Sequence, residues 1–295
     1  MSGAPLGVLR WAVDSASWEP SAGEFDACLG LLPSEERDAV RRFIKEDDRK
    51  RAVVSRLLQR AAVCAVCDVD IADVNIARTK GRKPFTTNAK PHGAPNFNFN
   101  VSHEGNFTAL AADPLCVVGI DVAAPNQVRR RGGEAFATAI EIFRAQFAPS
   151  EWALIQGCAH DEGQMESWFQ RLWSLKEAFV KARGDGLGFE PLSRAEFSFT
   201  RRPEDGGLDG SSASVAVDGV RQPSWSFELQ RLGGDHWVSV ARGPPHDIVD
   251  AHGHFTATFG RPRLTADEVG RHVKGAPGPA FALLSVAQLA AALGG

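Results

Sequence analysis

The sequence predicts a mixed α/β (α+β) protein with an antiparallel component, arranged as two halves that repeat one helix-then-strands order. Three observations predict it. A long helical pattern from Ser34 to about Cys67 carries Val40, Phe43, Ile44, Val53, Val54, Leu57, Leu58 and Val63. A strictly alternating segment, residues 96–103, is followed across short turns by two more strand-like runs. A second helical pattern, residues 166–183, then leads into four further strand-like runs. The length of 295 residues suits one large domain or two small ones.

In chain order, Arg10-Trp11-Ala12-Val13 reads as an opening strand. Pro33-Ser34-Glu35-Glu36 marks a helix start, with Ser34 as N-cap and acids in the first turn. The pattern is open to a break near residues 46–48. Residues 73–78 form a short strand that runs into a basic loop around Gly81. In the alternating segment Phe97, Phe99 and Val101 share one face and Asn98, Asn100 and Ser102 the other. Residues 107–112 are the return strand and 116–122 the next, so this part is a meander. A helix follows Gly132-Gly133, and another starts at Pro149-Ser150-Glu151, echoing residues 33–35. Strands are expected at 195–199, 214–217, 225–232 and 236–241, with a mobile polar loop at 201–212 and a last apolar helix near 281–293.

Composition excludes several classes. At 43% hydrophobic and 23% charged the chain is ordinary for a globular protein. A net charge of −3 speaks against a general nucleic-acid binder. Cations nevertheless cluster at Arg41-Arg42, Arg49-Lys50-Arg51, Lys80 to Lys83 and Arg129-Arg130-Arg131, which suits a compact anion or an acidic partner. No run approaches a membrane span of roughly 18 apolar residues, and the apolar start lacks the basic region of a signal peptide. Five cysteines build no disulfide framework, and Cys64-x-x-Cys67 has no second pair to complete a zinc site, so both read as buried thiols in a reducing, cytoplasmic setting.

Four features carry chemistry. Asp121 interrupts the apolar run V-V-G-I-D-V; it either ends the strand exposed or holds a cation that offsets a buried charge. Trp173, Glu177 and Lys181 share a helix face, with Lys176 offset. Alone, Glu177 and Lys181 describe an ordinary i,i+4 surface pair. Three glycines just beyond, Gly184, Gly186 and Gly188, allow a tight exit and close backbone approach. Arg78, Thr79, Lys80, Gly81, Arg82 and Lys83 put four cations around one glycine, a phosphate loop or a solvated hairpin tip. Asn100, Val101, Ser102 and His103 bring a hydroxyl and an imidazole to a turn, where they could meet a phosphate; neighbours on a strand point to opposite faces, so Ser102-His103 is weak evidence for a nucleophile triad.

Together F-N-F-N-V-S-H (97–103), V-G-I-D (118–121), W-S-L-K-E-A-F-V-K-A-R-G-D-G-L-G-F (173–189) and R-T-K-G-R-K-P (78–84) resemble the surfactin-type 4′-phosphopantetheinyl transferase family. The likeness is strongest to its animal-type branch, which serves aminoadipate-semialdehyde dehydrogenase and fatty acid synthase. It covers roughly residues 9–200. The resemblance implies two similar, pseudo-symmetric α/β halves with coenzyme A in the cleft between them: residues 1–114, residues 115–245, and a tail, 246–295. It implies Mg²⁺ on Asp121 and Glu177, with Glu177 also activating the acceptor serine and Lys181 holding a phosphate. The basic loop and residues 100–103 would grip the phosphates and the adenosine side, helped by an arginine of the first helix region, Arg37 or Arg41.

The implied reaction moves phosphopantetheine from coenzyme A to apo acyl or peptidyl carrier proteins of fatty acid, polyketide, peptide or aminoadipate synthesis, leaving adenosine 3′,5′-bisphosphate. A cytoplasmic monomer without nucleic-acid or membrane partners is expected. One departure stands out: bacterial relatives carry a third acid two residues after the metal-binding Asp, and this chain has Ala123 there. The competing classes are an idle coenzyme A or carrier-binding module and a metal-dependent phosphohydrolase. The latter would want more His and Asp ligands, and His236, His246, His252 and His254 read as solvated. Arg129-Arg130-Arg131 is the expected rim patch for an acidic carrier.

Overall fold

The computed structural model describes residues 5–128, 132, 134–200 and 213–294. The expected rim patch at 129–131 and the loop at 201–212 lie outside them. Strand β1 (Leu9–Asp14) precedes three helices, α1 (Ala22–Gly30), α2 (Ser34–Arg41) and α3 (Glu46–Cys67). A hairpin of β2 (Ile76–Arg78) and β3 (Pro84–Thr86) leads to the meander β4 (Asn98–Glu104), β5 (Phe107–Asp113) and β6 (Val117–Ala123). Short helices α4 (Phe136–Ala139) and α5 (Pro149–Gln156) precede the long α6 (Glu162–Arg183). Then come β7 (Ala195–Phe199), β8 (Ala213–Val217), β9 (Val220–Arg221), β10 (Ser226–Leu232) and β11 (His236–Gly243). The C-terminal stretch adds α7 (Ala266–Gly275), β12 (Ala282–Leu283) and α8 (Val286–Gly294).

The mixed α/β class is as expected. One sheet runs β12-β1-β5-β4 and a second β10-β11-β6. Helix α3 lies on the first sheet with α8 behind it, burying Val53, Val54, Leu57, Leu58, Phe97, Phe99 and Leu289 in one core. Helix α6 lies on the second, and Leu172, Leu175, Phe179, Trp225 and Phe227 fill another core. Between the sheets Ala109, Ala111, Val118, Ile120, Val122 and Val240 form a third.

The joint between the sheets is unusual. Side chains on β4 accept the backbone N–H groups of β6 and of the residue after it in constant register: Asn98 Oδ1 from Val118 at 3.0 Å, Asn100 Oδ1 from Ile120 at 3.0 Å, Ser102 Oγ from Val122 at 3.2 Å and Glu104 Oε2 from Ala124 at 2.7 Å. Every step joins residue i to i+20, so the two strands run parallel and β4 side chains replace a backbone ladder. This satisfies buried amides that would each cost about 1–3 kcal/mol unpaired.

At the far end of the meander a buried charge network ties both sheets to the C-terminal stretch. Arg10 donates to Glu228 Oε2 at 3.2 and 3.0 Å, and Arg242 donates to Glu228 Oε1 at 2.6 Å. Arg242 also reaches Asp113 at 3.5 Å, and His272 of α7 meets Asp113 at 3.0 Å.

Several boundaries differ from expectation. Ser34 is the first residue of α2 and Pro33 holds the cap position without a side-chain bond. The break falls before Glu46, whose acidic run Glu46-Asp47-Asp48 opens α3, where carboxylates favour the positive helix end. Only residues 76–78 of the expected 73–78 strand pair as a strand. Residues 282–283 pair parallel with β1 before the last helix begins. His236 is buried, accepting the Asn106 amide on Nε2 and meeting Asp235 through Nδ1, where a solvated side chain was expected. All five cysteines are free; Cys64 and Cys67 are half-buried. No helix among the described residues is long and apolar enough to cross a membrane.

Candidate active site

A cleft of about 430 Å³ opens between α3 and β4 on one side and α6 on the other. The β2–β3 hairpin supplies Arg78, Thr79, Gly81, Arg82 and Lys83 to its wall, β4 supplies Asn100, Val101 and His103, and α6 supplies Glu177 and Lys181. Helix α3 adds Ser55 and Gln59, which the sequence did not suggest. Arg41 and Lys80 are exposed and lie outside the lining.

Asp121, 6% exposed on the edge strand β6, lies outside the lining, behind the cleft residue Lys181. Its Oδ1 accepts from Lys181 Nζ at 2.5 Å and from Ser102 Oγ at 3.0 Å. Lys181 thus pairs with Asp121 across the interface, and the i,i+4 surface pair with Glu177 is not what it forms. Burial raises the Asp121 carboxyl pKa against the opposing pull of Lys181 and Ser102. Burial, then the Asp121 charge, raises Glu177. Lys181 loses solvation too, yet Asp121, Glu177 and Glu104 outweigh that and raise its ammonium.

Glu104, the last residue of β4, is the member that sequence reasoning missed. Burial pushes its carboxyl up to about 7, with Asp121 and Glu177 pushing the same way. Three carboxylates therefore feel one another around a single ammonium. Desolvation in the cleft wall, then Arg51 and Lys181, hold the His103 imidazole below its ordinary value.

Three expected ligand-binding side chains are otherwise employed. Lys83 is buried and donates to the carbonyls of Val118 and Lys181 at 2.9 Å each and of Ala182 at 3.3 Å, pinning the end of α6 to β6. Burial brings its pKa down to about 7. Asn100 and Ser102 spend their acceptors on the β6 amides. Lys176, offset from the cleft face, is fully buried against Glu151 at 2.7 Å, so the second P-S-E start is a structural anchor.

Gly119 explains why strand and helix meet closely enough for Lys181 to touch Asp121. A Cβ there would stand 2.1 Å from Ala178 O and 2.4 Å from Ala182 N of α6. Backbone cannot yield as a side-chain tip can. Gly119→Ala is expected to cost about 3 kcal/mol or more, at the upper end of overpacking effects. Thermal melting checks it; an unshifted transition would mean that the helix sits farther away. Gly184 closes α6 in the left-handed region at φ 80, its N–H bonded to Val180 O.

A second, apolar groove of about 290 Å³ flanks Glu104 and runs beside Ala123, Phe143, Phe169 and Trp173. Trp173, Glu177 and Lys181 follow one another on α6, so the acidic cluster sits where the basic cleft and the apolar groove meet. Among the described residues Asp113, Cys116 and His272 also approach within 4.8 Å of one another. Asp113 Oδ1 already accepts the Leu115 and Cys116 amides there, at the opposite end of β5.

Basic cleft, acidic cluster and apolar groove thus adjoin one another along α6. Residues 16–115 match the family model for the 4′-phosphopantetheinyl transferase N-terminal region, and residues 117–241 that for the 4′-phosphopantetheinyl transferase superfamily. The chain is 33% identical over 237 residues to an L-aminoadipate-semialdehyde dehydrogenase-phosphopantetheinyl transferase of Rattus norvegicus, covering 80% of this chain and 75% of that one. It is 35% identical over 241 residues to a phosphopantetheinyl transferase of Thraustochytrium sp., covering 80% and 79%. A 4′-phosphopantetheinyl transferase of Bacillus subtilis is 30% identical over 187 residues, covering 63% and 73%. The chain belongs to the 4′-phosphopantetheinyl transferase superfamily.

Proposed function

We propose that the chain is a Mg²⁺-dependent holo-[acyl-carrier-protein] synthase, moving 4′-phosphopantetheine from coenzyme A to a carrier serine and releasing adenosine 3′,5′-bisphosphate. The carrying observation is the cluster of Glu104, Asp121 and Glu177 around Lys181, at the meeting of a basic cleft and an apolar groove. The cleft suits the phosphorylated nucleotide; the groove suits the uncharged pantetheine arm. The phosphoanhydride that breaks would then lie at the carboxylates.

Asp121 and Glu177 would hold the Mg²⁺, with Glu104 supplying the third oxygen that Ala123 cannot. The fit rests on an all-oxygen donor set and on three mutually repelling carboxylates offset by one ammonium. When bound, the ion neutralises charge on the pyrophosphate. Glu177 takes the serine proton, directly or through water; its raised pKa makes it a better base near neutral pH. The serine oxygen attacks the phosphorus bearing pantetheine, and the bond to the nucleotide phosphate breaks. Lys181 keeps its proton and turns its charge to a phosphate oxygen. Arg78, Thr79, Gly81 and Arg82 grip the nucleotide phosphates, with Lys80 and Arg41 reaching in from outside the wall. Lys83, Asn100 and Ser102 position these groups, and Val101 and His103 complete the wall.

The division at residues 114/115 and 245/246, the pseudo-symmetry of the halves, a monomeric state and a cytoplasmic location belong to the same reading. So do carrier domains of the fatty acid, polyketide, peptide and aminoadipate types as partners. Intact mass of an apo carrier, after incubation with the protein, coenzyme A and Mg²⁺, tests it: a gain of one phosphopantetheine is expected. An idle binding module would hold coenzyme A and leave the mass unchanged. Chelator is expected to abolish the gain without lowering the melting temperature of the ligand-free protein, because the metal leans on substrate oxygens. A large chelator-induced drop in melting temperature would instead indicate a structural metal.

A further inference from the structure

We propose that the bend between α2 and α3 is the surface on which the acceptor carrier domain docks. The proposal rests on the transferase reading above and names where that reaction's protein substrate is held.

The bend combines apolar exposure, fixed shape and free positive charge. Ile44 is 92% exposed and Phe43 43%, the only sequence neighbours among the exposed large hydrophobic residues described. A solvated turn has no use for that pair, and turns are ordinarily polar. The loop is also held in shape. Arg49 donates to the carbonyls of Phe43 at 2.7 Å and Ile44 at 3.4 Å, and the Phe43 amide bonds to Val40 O, whose residue is fully buried. The apolar tip is therefore presented on a braced scaffold, which lowers the ordering cost of binding.

Arg42 and Lys45 flank the tip, both exposed, their side chains without a hydrogen bond or ion pair among the described residues. Asp47 and Asp48 are answered by Lys50 at 3.8 Å and Arg51 at 3.1 Å. Residues 41–51 hold six cations against three carboxylates in a chain whose net charge is −3. An apolar knob ringed by cations is complementary to an acidic helical bundle, the chemistry of carrier domains, and such charges steer encounter.

Position selects the same partner. Arg51, on the first turns of α3, donates to the carbonyl of Gly105 at 3.2 Å, the residue after Glu104. At 1.5 Å rise per helical residue, Ile44 lies within roughly 20 Å of that carbonyl. A bundle of roughly 80 residues has a radius of gyration of about 12 Å, so one domain can sit on the bend and still deliver a serine to the acidic cluster. A membrane surface would satisfy the charge but would not explain this placement.

The test compares Arg42→Glu/Lys45→Glu and Ile44→Ser with the wild-type chain, following carrier loading by intact mass at limiting carrier. The double reversal is expected to lower kcat/KM for the carrier about tenfold or more and to flatten its dependence on salt. Ile44→Ser is expected to lower it several-fold while the salt dependence remains. Coenzyme A affinity, by calorimetry, and melting temperature should stay at wild-type values for both. Wild-type loading kinetics in both variants overturn the proposal. So does a loss of sedimentation with anionic phosphatidylserine vesicles while loading is unchanged, which reassigns the bend to a membrane. If the wild-type chain loads no carrier, the transferase reading itself falls and this proposal with it.

Discussion

Asp121→Ala and Glu177→Ala are each expected to lower the rate of carrier loading by on the order of a thousandfold or more, with the fold retained. Glu177 lines the basic cleft, Asp121 pairs with Lys181 beside it, and each acid raises the pKa of a neighbour. Removing either one relieves repulsion among the remaining carboxylates. Asp121→Ala also strips Lys181 of its partner, but that side chain is 32% exposed and keeps Ser102 Oγ at 3.2 Å. The stability cost should thus be small while the catalytic cost is large. Circular dichroism and melting establish the first, and intact mass of the carrier over time the second. Near-normal loading by both variants at saturating Mg²⁺ would end the assignment of these acids to the metal.

Glu228→Ala should have the opposite signature, a large stability loss with chemistry preserved. Glu228 is 4% exposed and joins Arg10 and Arg242, each 1% exposed. Truncation leaves two buried guanidinium groups without their shared carboxylate, which costs about 3–5 kcal/mol. In a chain of this size that is a fall of roughly 10 °C in melting temperature. The network occupies the end of β5 remote from Glu104, so kcat of the folded variant should be unchanged.

Acid should sharpen the contrast. Burial favours the neutral carboxyl of Glu228, but Arg10 and Arg242 outweigh it and hold the pKa below 4.5. Burial likewise opposes Asp113, yet His272, Arg242 and backbone amides bring it down to about 2 from 3.8. Carboxyls depressed in the folded state contribute stability above their unfolded values and lose it as pH falls through the folded ones. Wild-type melting should therefore fall between about pH 4.5 and pH 2, and less steeply in Glu228→Ala. Parallel pH profiles, or a melting temperature within about two degrees of wild type, would show that the network contributes little.

Periodicity made much of this legible. Alternation over residues 96–103 located β4, and the acid in an apolar run located Asp121, because both are local patterns. The capping box of Ser21 and Glu24, which starts α1, is equally local. What remained hidden depends on partners distant in sequence. Lys83 beside a glycine looks like a phosphate ligand, and only the approach of β6 and α6 turns it inward to three carbonyls. Glu104 looks like a turn residue until the i+20 register sets it against Ala124. His236, after a Gly-Gly-Asp turn, looks solvated until Asn106 and Phe107 enclose it. Charge type is visible in one dimension; which charges lose their water is not.

Cutting the chain between β5 and β6 would create two raw edges. β4 would display Asn98, Asn100 and Ser102 to solvent, which water can satisfy. β6 would display the amides of Val118, Ile120 and Val122 along a wholly buried apolar strand, a template for strand addition by another copy. Each side-chain acceptor on β4 thus doubles as a gatekeeper, protecting its neighbour from self-association as well as aligning the carboxylates. The C-terminal half made by itself would be prone to aggregate, and co-expression of the N-terminal half would be the way to keep it in solution.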